Sequence, residues 1–373
     1  MKIAMFTETF TPQVNGVVTS ICSFTEELEA RGHEIEIFAP KPGKEEHDGT
    51  PVHRFKSVTF RPYPEFKATL PPVRINKKVK GHGFELIHTH GPFAMGWAGL
   101  VTAKRNKLPC VSTFHTPISD YVPYLFKGKN LVLLGKKLAW KYTVKHYNRY
   151  KEIVVPSEII KKLLEDKGVK TPLHVVPTGI RLEDFEMENT EYIHEKLDVG
   201  EFILHAGRIS KEKNIDTVIR AMKNIDSQLV ITSKGPELEK LKKLVKKEHL
   251  EEKVVFAGYV DSEDLVALYH ECAFSVIASE ADTQGLVITE AMACGTPVIG
   301  ANALAIPEII NGENGVLFEL KNAEDLSEKA NMLLEENELR KKMSLNAIKT
   351  AKENSIEKRT DEMLKVYEQA EKT

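Results

Sequence analysis

The sequence predicts two doubly wound α/β domains in tandem, each built on a parallel sheet. Three observations carry this. Short apolar runs alternate with longer amphipathic stretches from end to end, the pattern of repeated strand–helix–strand units. At 373 residues the chain exceeds one ordinary core and suits two of similar size. A turn signal, Pro177-Thr178-Gly179, falls between two such series of strands.

In the first series, Lys2 to Phe6 reads as a buried strand and Val17 to Ala30 as the helix after it. Arg31-Gly32-His33 makes a stop, and Glu34 to Ala39 a second strand. Further strands are expected at Leu86 to Thr89, Val111 to Phe114, Glu152 to Val155 and His174 to Val176. The second series begins at Phe202 to Ala206. It continues through Leu229 to Thr232, Val254 to Ala257, Phe274 to Ala278, Pro297 to Gly300 and Val316 to Phe318. From about Glu324 the tail reads as successive charged amphipathic helices. The expected domains are therefore residues 1–180 and 181–352, with 353–373 a terminal helix that could return to the first. Sheets of this kind bind ligands beyond the carboxyl ends of their strands, so a cleft between the domains is the expected site.

Composition narrows the class. Apolar residues make up 42% and charged residues 28%, an ordinary globular mixture. A net charge of −2 argues against a polyanion binder, so no nucleic-acid partner is expected. The four cysteines, Cys22, Cys110, Cys272 and Cys294, are scattered without metal-ligand spacing or a disulfide pattern, which suits a cytoplasmic protein. The N-terminal MKIAMFTETF reads as a first strand rather than a signal peptide. No run approaches the ~20 apolar residues a membrane helix needs.

Two segments of the second half hold residues suited to chemistry. Phe202 to Asn214 is a strand entering a helix through a loop with Gly207 and the cations Arg208, Lys211 and Lys213. Cations beside a helix start suit a diphosphate, although a solvated charged helix start would look the same. The run from Ser279 to Pro297 places Asp282 in a loop, Gly285 at a helix opening, and Glu290 on an otherwise apolar helix face. Backbone N–H groups after Gly285, including those of Leu286 and Val287, are available to an anion or to sugar hydroxyls. A carboxylate at Glu290 should accept hydrogen bonds from a diol such as ribose, or pair with a structural Arg.

These motifs resemble glycosyltransferase family 4. Gly207-Arg208 with Lys213 is similar to its phosphate loop. Asp282, seven residues and Glu290, then Ala-Met-Ala-Cys-Gly-Thr-Pro-Val, is similar to its donor motif. The resemblance covers essentially the whole chain and implies the GT-B fold and retention of anomeric configuration. Glu8 to Ile21 is similar to the family's first loop, in which the glycine, here Gly16, lets the backbone approach the donor. Phe114-His115-Thr116, followed by Asp120 and Tyr121, resembles a segment whose histidine faces the donor sugar. His115 is carried over as a contact to the transferred sugar. His88 and His90 keep a structural assignment, since i, i+2 spacing makes only a weak metal pair.

Two departures stand out. The first acidic position, usually Glu, is Asp282, one methylene shorter. Where a glycine-rich turn is common, this chain has Thr232-Ser233-Lys234-Gly235-Pro236, with Lys234 either approaching the nucleotide phosphates or, the favoured reading, simply exposed. As the leaving diphosphate gathers charge, Arg208, Lys213 and the helix start after Gly285 would stabilise it. Such a site can dispense with a divalent ion. Asp261-Ser-Glu263-Asp264 reads as an N-cap rather than a metal motif. No metal and no cofactor beyond the nucleotide sugar, a co-substrate, is expected. Retention could follow a double displacement or a same-face substitution; the resemblance favours same-face attack, which makes Asp282 a sugar-reading group rather than a nucleophile. Base recognition would use backbone near Gly258 to Val260.

The acceptor is argued from the first domain. Between Phe126 and Lys151 lie Lys127, Lys129, Lys136, Lys137, Lys141, Lys145, Arg149 and Lys151, interleaved with Leu131, Val132, Leu133, Leu134, Leu138, Trp140 and Tyr147. A basic amphipathic helix suits an anionic membrane surface, and a packed helix with a solvated basic face would share the pattern. The first-loop and His-Thr…Asp-Tyr segments look most like lipid glycosyltransferases that glucosylate diacylglycerol. The expectation is UDP-glucose as donor and a lipid acceptor, on the inner face of the cell membrane. Mannosyl transfer from GDP-mannose to a phosphoinositide or glycan is the alternative. A nucleotide-sugar epimerase and a noncatalytic nucleotide-sugar sensor are lesser ones.

Overall fold

The computed structural model describes residues 1–59, 67–69, 79, 81–120, 122–126 and 128–372. They form two compact units. Unit 1 is Met1–Gly179 with Ile356–Thr373, and unit 2 is Ile180–Ser355.

Unit 1 holds an eight-stranded sheet. In chain order its strands are β1 (Lys2–Thr7), β2 (Glu34–Pro40), β3 (Glu46–His47), β4 (Thr50–Phe55), β7 (Leu86–His90), β8 (Cys110–Thr113), β9 (Glu152–Val155) and β10 (Leu173–Val175). A separate antiparallel pair joins β5 (Ser57–Thr59) to β6 (Lys67–Thr69). The sheet order is β10-β9-β8-β7-β1-β2-β4-β3, parallel throughout except for the short β3. Ile3, Ala4, Met5 and Phe6 of β1 are all buried, because helices cover both faces of a parallel sheet. The helix Gly16–Ala30 starts at Asn15, whose side chain accepts from the N–H groups of Val17 and Val18. Its Val18, Ile21, Phe24 and Leu28 form the stripe that meets the sheet.

The last helix, Ile356–Lys372, completes this same core. It buries Ile356, Met363, Val366, Tyr367 and Ala370 with Ile3, Met5 and Ile21, and Arg31 bonds to Asp361 and the Glu357 carbonyl.

Unit 2 is a six-stranded parallel sheet. Its strands are β11 (Phe202–His205), β12 (Gln228–Thr232), β13 (Val254–Gly258), β14 (Ser275–Ile277), β15 (Val298–Ala301) and β16 (Gly315–Phe318), in the order β13-β12-β11-β14-β15-β16. Strand order reverses between β11 and β14, and in unit 1 between β1 and β7. Loops leaving the carboxyl ends of such a pair diverge and open a crevice, where doubly wound sheets bind ligands. Among the described residues no helix is long and apolar enough to cross a membrane.

Candidate active site

In unit 2 the crevice between β11 and β14 is where the expected donor residues converge. Gly207 follows β11 with φ +128, a conformation open to glycine and strained for other residues. Arg208 comes next and is half-buried. Lys213 ends a short 3₁₀ turn, Lys211–Lys213. From the loop after β14, Asp282 meets it: Lys213 Nζ lies 2.7 and 3.0 Å from the two carboxylate oxygens. The loops are tied together by the Glu280 N–H donating to the Glu212 carbonyl, 3.0 Å, and by Asn214 Nδ2 donating to the Ala278 carbonyl, 3.2 Å.

Gly285, at φ +81, is the N-cap of the helix Leu286–Ala293. A glycine has no side chain to cap with, so the first-turn N–H groups, those of Leu286 and Val287 among them, receive no side-chain cap. One turn further, Glu290 Oε2 accepts a hydrogen bond from the Tyr269 hydroxyl at 3.1 Å. Burial pushes the Glu290 carboxyl above the ordinary range, and the tyrosine bond works against that shift. Its partner is thus a tyrosine, not the arginine of the structural alternative. Val260, beyond β13, is half-buried beside an exposed Tyr259. Lys234 is exposed, and its carbonyl accepts from the Ile209 N–H at 3.1 Å. Asp261 caps the helix Ser262–Glu271, and Asp264 is held by Lys196 and Tyr192, so structural contacts occupy both carboxylates.

His205, in the same crevice, carried no signal beyond being one histidine in an apolar strand. Its Nδ1–H donates to the Val276 carbonyl at 2.9 Å. Burial, with the nearby Lys213 charge adding to it, pushes its pKa down to about 4. Its Nε2 is buried and without a protein partner among the described residues.

Unit 1 presents a second constellation at the carboxyl ends of its strands. Glu8 follows β1 and is 4% exposed. Its Oε1 accepts from the Met95 and Gly96 N–H groups, at 2.8 and 3.1 Å, so it caps the helix Ala94–Asn106 from a distant strand. Burial raises its pKa to about 7, against those bonds. His115, two residues past β8, is half-buried, and burial lowers its pKa to about 4. Its Nε2 lies 3.1 Å from Nδ1 of His90. Gly16 is the exposed first residue of its helix. Asp120 ends a 3₁₀ turn, Ile118–Asp120, and Tyr121 lies outside the described residues, as does Lys127.

The basic segment is the helix Lys129–Tyr147. Thr143, His146 and Tyr147 are buried, and Tyr142 donates to the Pro92 carbonyl. Lys136 and Trp140 are half-buried, with Lys167 over the Trp140 ring at 5.5 Å, whereas Lys137 and Lys141 are exposed. The leucines face outward: Leu131, Leu133, Leu134 and Leu138 are 57, 69, 54 and 58% exposed.

Comparison with known proteins accords with this architecture. Residues 14–184 match the model described as Glycosyltransferase Family 4, and residues 187–350 that of Glycosyl transferases group 1. An alpha-monoglucosyldiacylglycerol synthase of Streptococcus pneumoniae is 33% identical over 318 residues, covering 80% of this chain and 70% of the relative. One from Acholeplasma laidlawii is 29% identical over 342 residues, 85% of each. Among solved structures, sucrose-phosphate synthase from Thermosynechococcus elongatus superposes with a TM-score of 0.81 at 21% identity, over 99% of this chain and 98% of that one. The two parallel-sheet units and this superposition give the GT-B fold, and the sequence matches give a glycosyltransferase. The chain belongs to glycosyltransferase family 4, and its matched relatives include lipid glycosyltransferases.

Proposed function

We propose that this chain is a retaining, metal-independent glucosyltransferase that moves glucose from UDP-glucose to a hydroxyl of membrane diacylglycerol. The observation that carries the acceptor is the outward face of the helix Lys129–Tyr147. Leu131, Leu134 and Leu138 recur at helical spacing there, and Leu133, Lys137, Lys141 and Lys145 are exposed on the same helix. A packed helix turns its leucines inward. One that turns them outward among lysines suits adsorption to an anionic bilayer, with the enzyme peripheral on the cytoplasmic face. Both relatives carry names for synthases of a monoglucosylated diacylglycerol, which supports the same product class.

In this mechanism Arg208, Lys213 and the uncapped N–H groups after Gly285 receive the diphosphate as the glycosidic bond lengthens. Preorganised charge of this kind meets the developing negative charge without a divalent ion. Glu290 takes the ribose hydroxyls through the oxygen that Tyr269 leaves open. Asp282, shared with Lys213, reads a sugar hydroxyl, and His115 contacts the transferred sugar. The acceptor hydroxyl attacks from the face the nucleotide leaves, which preserves configuration.

The test is UDP release from UDP-glucose, with GDP-mannose in parallel. It is run with and without vesicles of phosphatidylglycerol containing diacylglycerol, with EDTA present, and the anomeric configuration of the product is read by NMR. The expected result is vesicle-dependent release and an α-glucolipid. Absence of release from either donor rejects the donor assignment. Release indifferent to vesicles but stimulated by a soluble sugar rejects the lipid acceptor.

A further inference from the structure

His205 is the last residue of β11 and is 1% exposed. It stands where strand order reverses: β11 and β14 are in register only at Leu204 and Ser275. Just beyond that pair the His205 ring reaches across to β14, and its Nδ1 lies 2.9 Å from the Val276 carbonyl. A carbonyl oxygen can only accept, so Nδ1 carries the hydrogen. Burial keeps the ring neutral, its pKa pushed down to about 4, and a neutral imidazole has one N–H. Nε2 is therefore a lone pair. Among the described residues it is the one buried side-chain acceptor of unit 2 without a hydrogen-bond partner. Nearly all buried polar atoms in folded proteins are paired. One left open at the ligand-binding end of a sheet calls for a partner that the resting contacts do not supply.

The charges around the ring point to that partner. Lys213 and Asp282 both act on it electrostatically, the ammonium disfavouring its protonation and the carboxylate favouring it. An ammonium has three N–H bonds to give. The two Asp282 oxygens engage Lys213 Nζ at 2.7 and 3.0 Å, and no third acceptor bonds it among the described residues. An unfilled donor and an unfilled acceptor thus belong to one crevice. While Asp282 holds the ammonium, the two have no need of each other.

We propose that His205 is a positioning residue for Lys213: when the donor sugar draws Asp282 away, His205 Nε2 accepts an N–H of the Lys213 ammonium and holds it facing the diphosphate. This rests on Lys213 and Asp282 serving the donor, and the experiment separates the two ideas. Long-range proton–nitrogen NMR of the full ¹⁵N-histidine-labelled chain reads His205, with His205→Asn identifying its resonance. The probe is the C-glycosidic analogue of UDP-glucose, which cannot be transferred. The free chain is expected to show a protonated Nδ1 and a bare Nε2, and saturation with the analogue should move Nε2 upfield, as a lone pair that gains a donor does. A protonated Nε2 in the free chain, or an Nε2 unmoved at saturation, overturns the inference. Failure of the analogue to bind removes the donor reading itself, and the inference with it. Two variants exclude a merely structural role. Asn keeps an amide donor for Val276 and leaves nothing at the Nε2 position, whereas Gln offers its carbonyl there and gives up the Val276 bond. If His205 served only the strand junction, turnover would follow stability and Asn would exceed Gln. The expected order is the reverse: kcat falls about tenfold in His205→Asn with KM for UDP-glucose little changed, and stays nearer wild type in His205→Gln despite a lower melting temperature. Turnover that follows the melting temperatures overturns the inference.

Discussion

Lys213 and Asp282 are bound to each other, one ammonium across both oxygens of one carboxylate, at 2.7 and 3.0 Å. The proposed mechanism assigns them to different ends of the donor, the diphosphate and the sugar. Both side chains are largely shielded, 20% and 17% exposed, so the attraction is less screened than at an open surface. In the proposed mechanism donor binding shares or divides this existing pair. Lys213→Ala leaves an uncompensated carboxylate facing the diphosphate and should weaken UDP binding and lower turnover about a hundredfold or more. Asp282→Ala should lower turnover while UDP binding is kept or tightened, since Lys213 is released to the phosphates. Calorimetric titration with UDP beside turnover separates the two, and equal weakening of UDP in both variants would contradict this division. Asp282→Glu preserves the pair and should alter donor choice or rate, and no change in either would remove the sugar-reading role.

In the proposed mechanism Glu290 meets the ribose with Oε1, because Tyr269 holds Oε2. Glu290→Gln should weaken UDP binding and erase most of its preference over 2′,3′-dideoxy-UDP. Tyr269→Phe, which loses one hydrogen bond, should cost about three- to tenfold in the same comparison. An unchanged preference in Glu290→Gln shows that the ribose is read elsewhere.

Exposed leucines and exposed lysines on the helix Lys129–Tyr147 should act separately. Leu133→Ser with Leu138→Ser should reduce binding to neutral and anionic vesicles alike. Lys137→Glu with Lys141→Glu should reduce binding to anionic vesicles about tenfold or more and flatten its salt dependence. Neither pair should move the melting temperature much, because these side chains are exposed. Vesicle sedimentation checks both, and undiminished binding in both would free this helix of a membrane role.

Glu8 gives a stability signature in pH. Its folded pKa, about 7, lies above the ordinary 4.5, so the folded state holds the proton more tightly than the unfolded chain. That contribution is fully present below pH ~4.5 and is lost as pH rises through about 7. Glu8→Gln still accepts from Met95 or Gly96 and removes the titration. Urea unfolding at a series of pH values between 5 and 8 should show wild type losing stability relative to Glu8→Gln as pH rises, and parallel curves would contradict this.

Strands buried on both faces were legible as continuous apolar runs, Ile3 to Phe6 and Phe202 to Leu204 among them. Strand β4 was not, because every second residue of Thr50–Phe55 is only partly covered and the run reads as polar. The loop was legible as a candidate site because Asp282, Gly285 and Glu290 are close in sequence. Lys213 with Asp282, Glu8 with the N–H groups of Met95 and Gly96, and His90 with His115 are partners made by sheet order. A one-dimensional pattern shows that β11 and β14 exist without showing that they are neighbours. Outward leucines were invisible for a related reason: hydropathy counts apolar residues, while direction follows from which side of the helix the rest of the fold covers.

The last helix, Ile356–Lys372, supplies Tyr367 and Met363 to a core begun by Ile3 and Met5. Synthesis runs in the opposite sense to that dependence. Unit 2 has all its residues once the chain has reached Ser355, while unit 1, whose first strand emerges earliest, still lacks part of its interior. The contacts that tie this helix to Arg31 span more than three hundred residues, and such long-range closure slows assembly. For that interval the nascent first sheet carries uncovered apolar side chains, a stretch of vulnerability in which a chaperone or protease has its best opportunity to intervene.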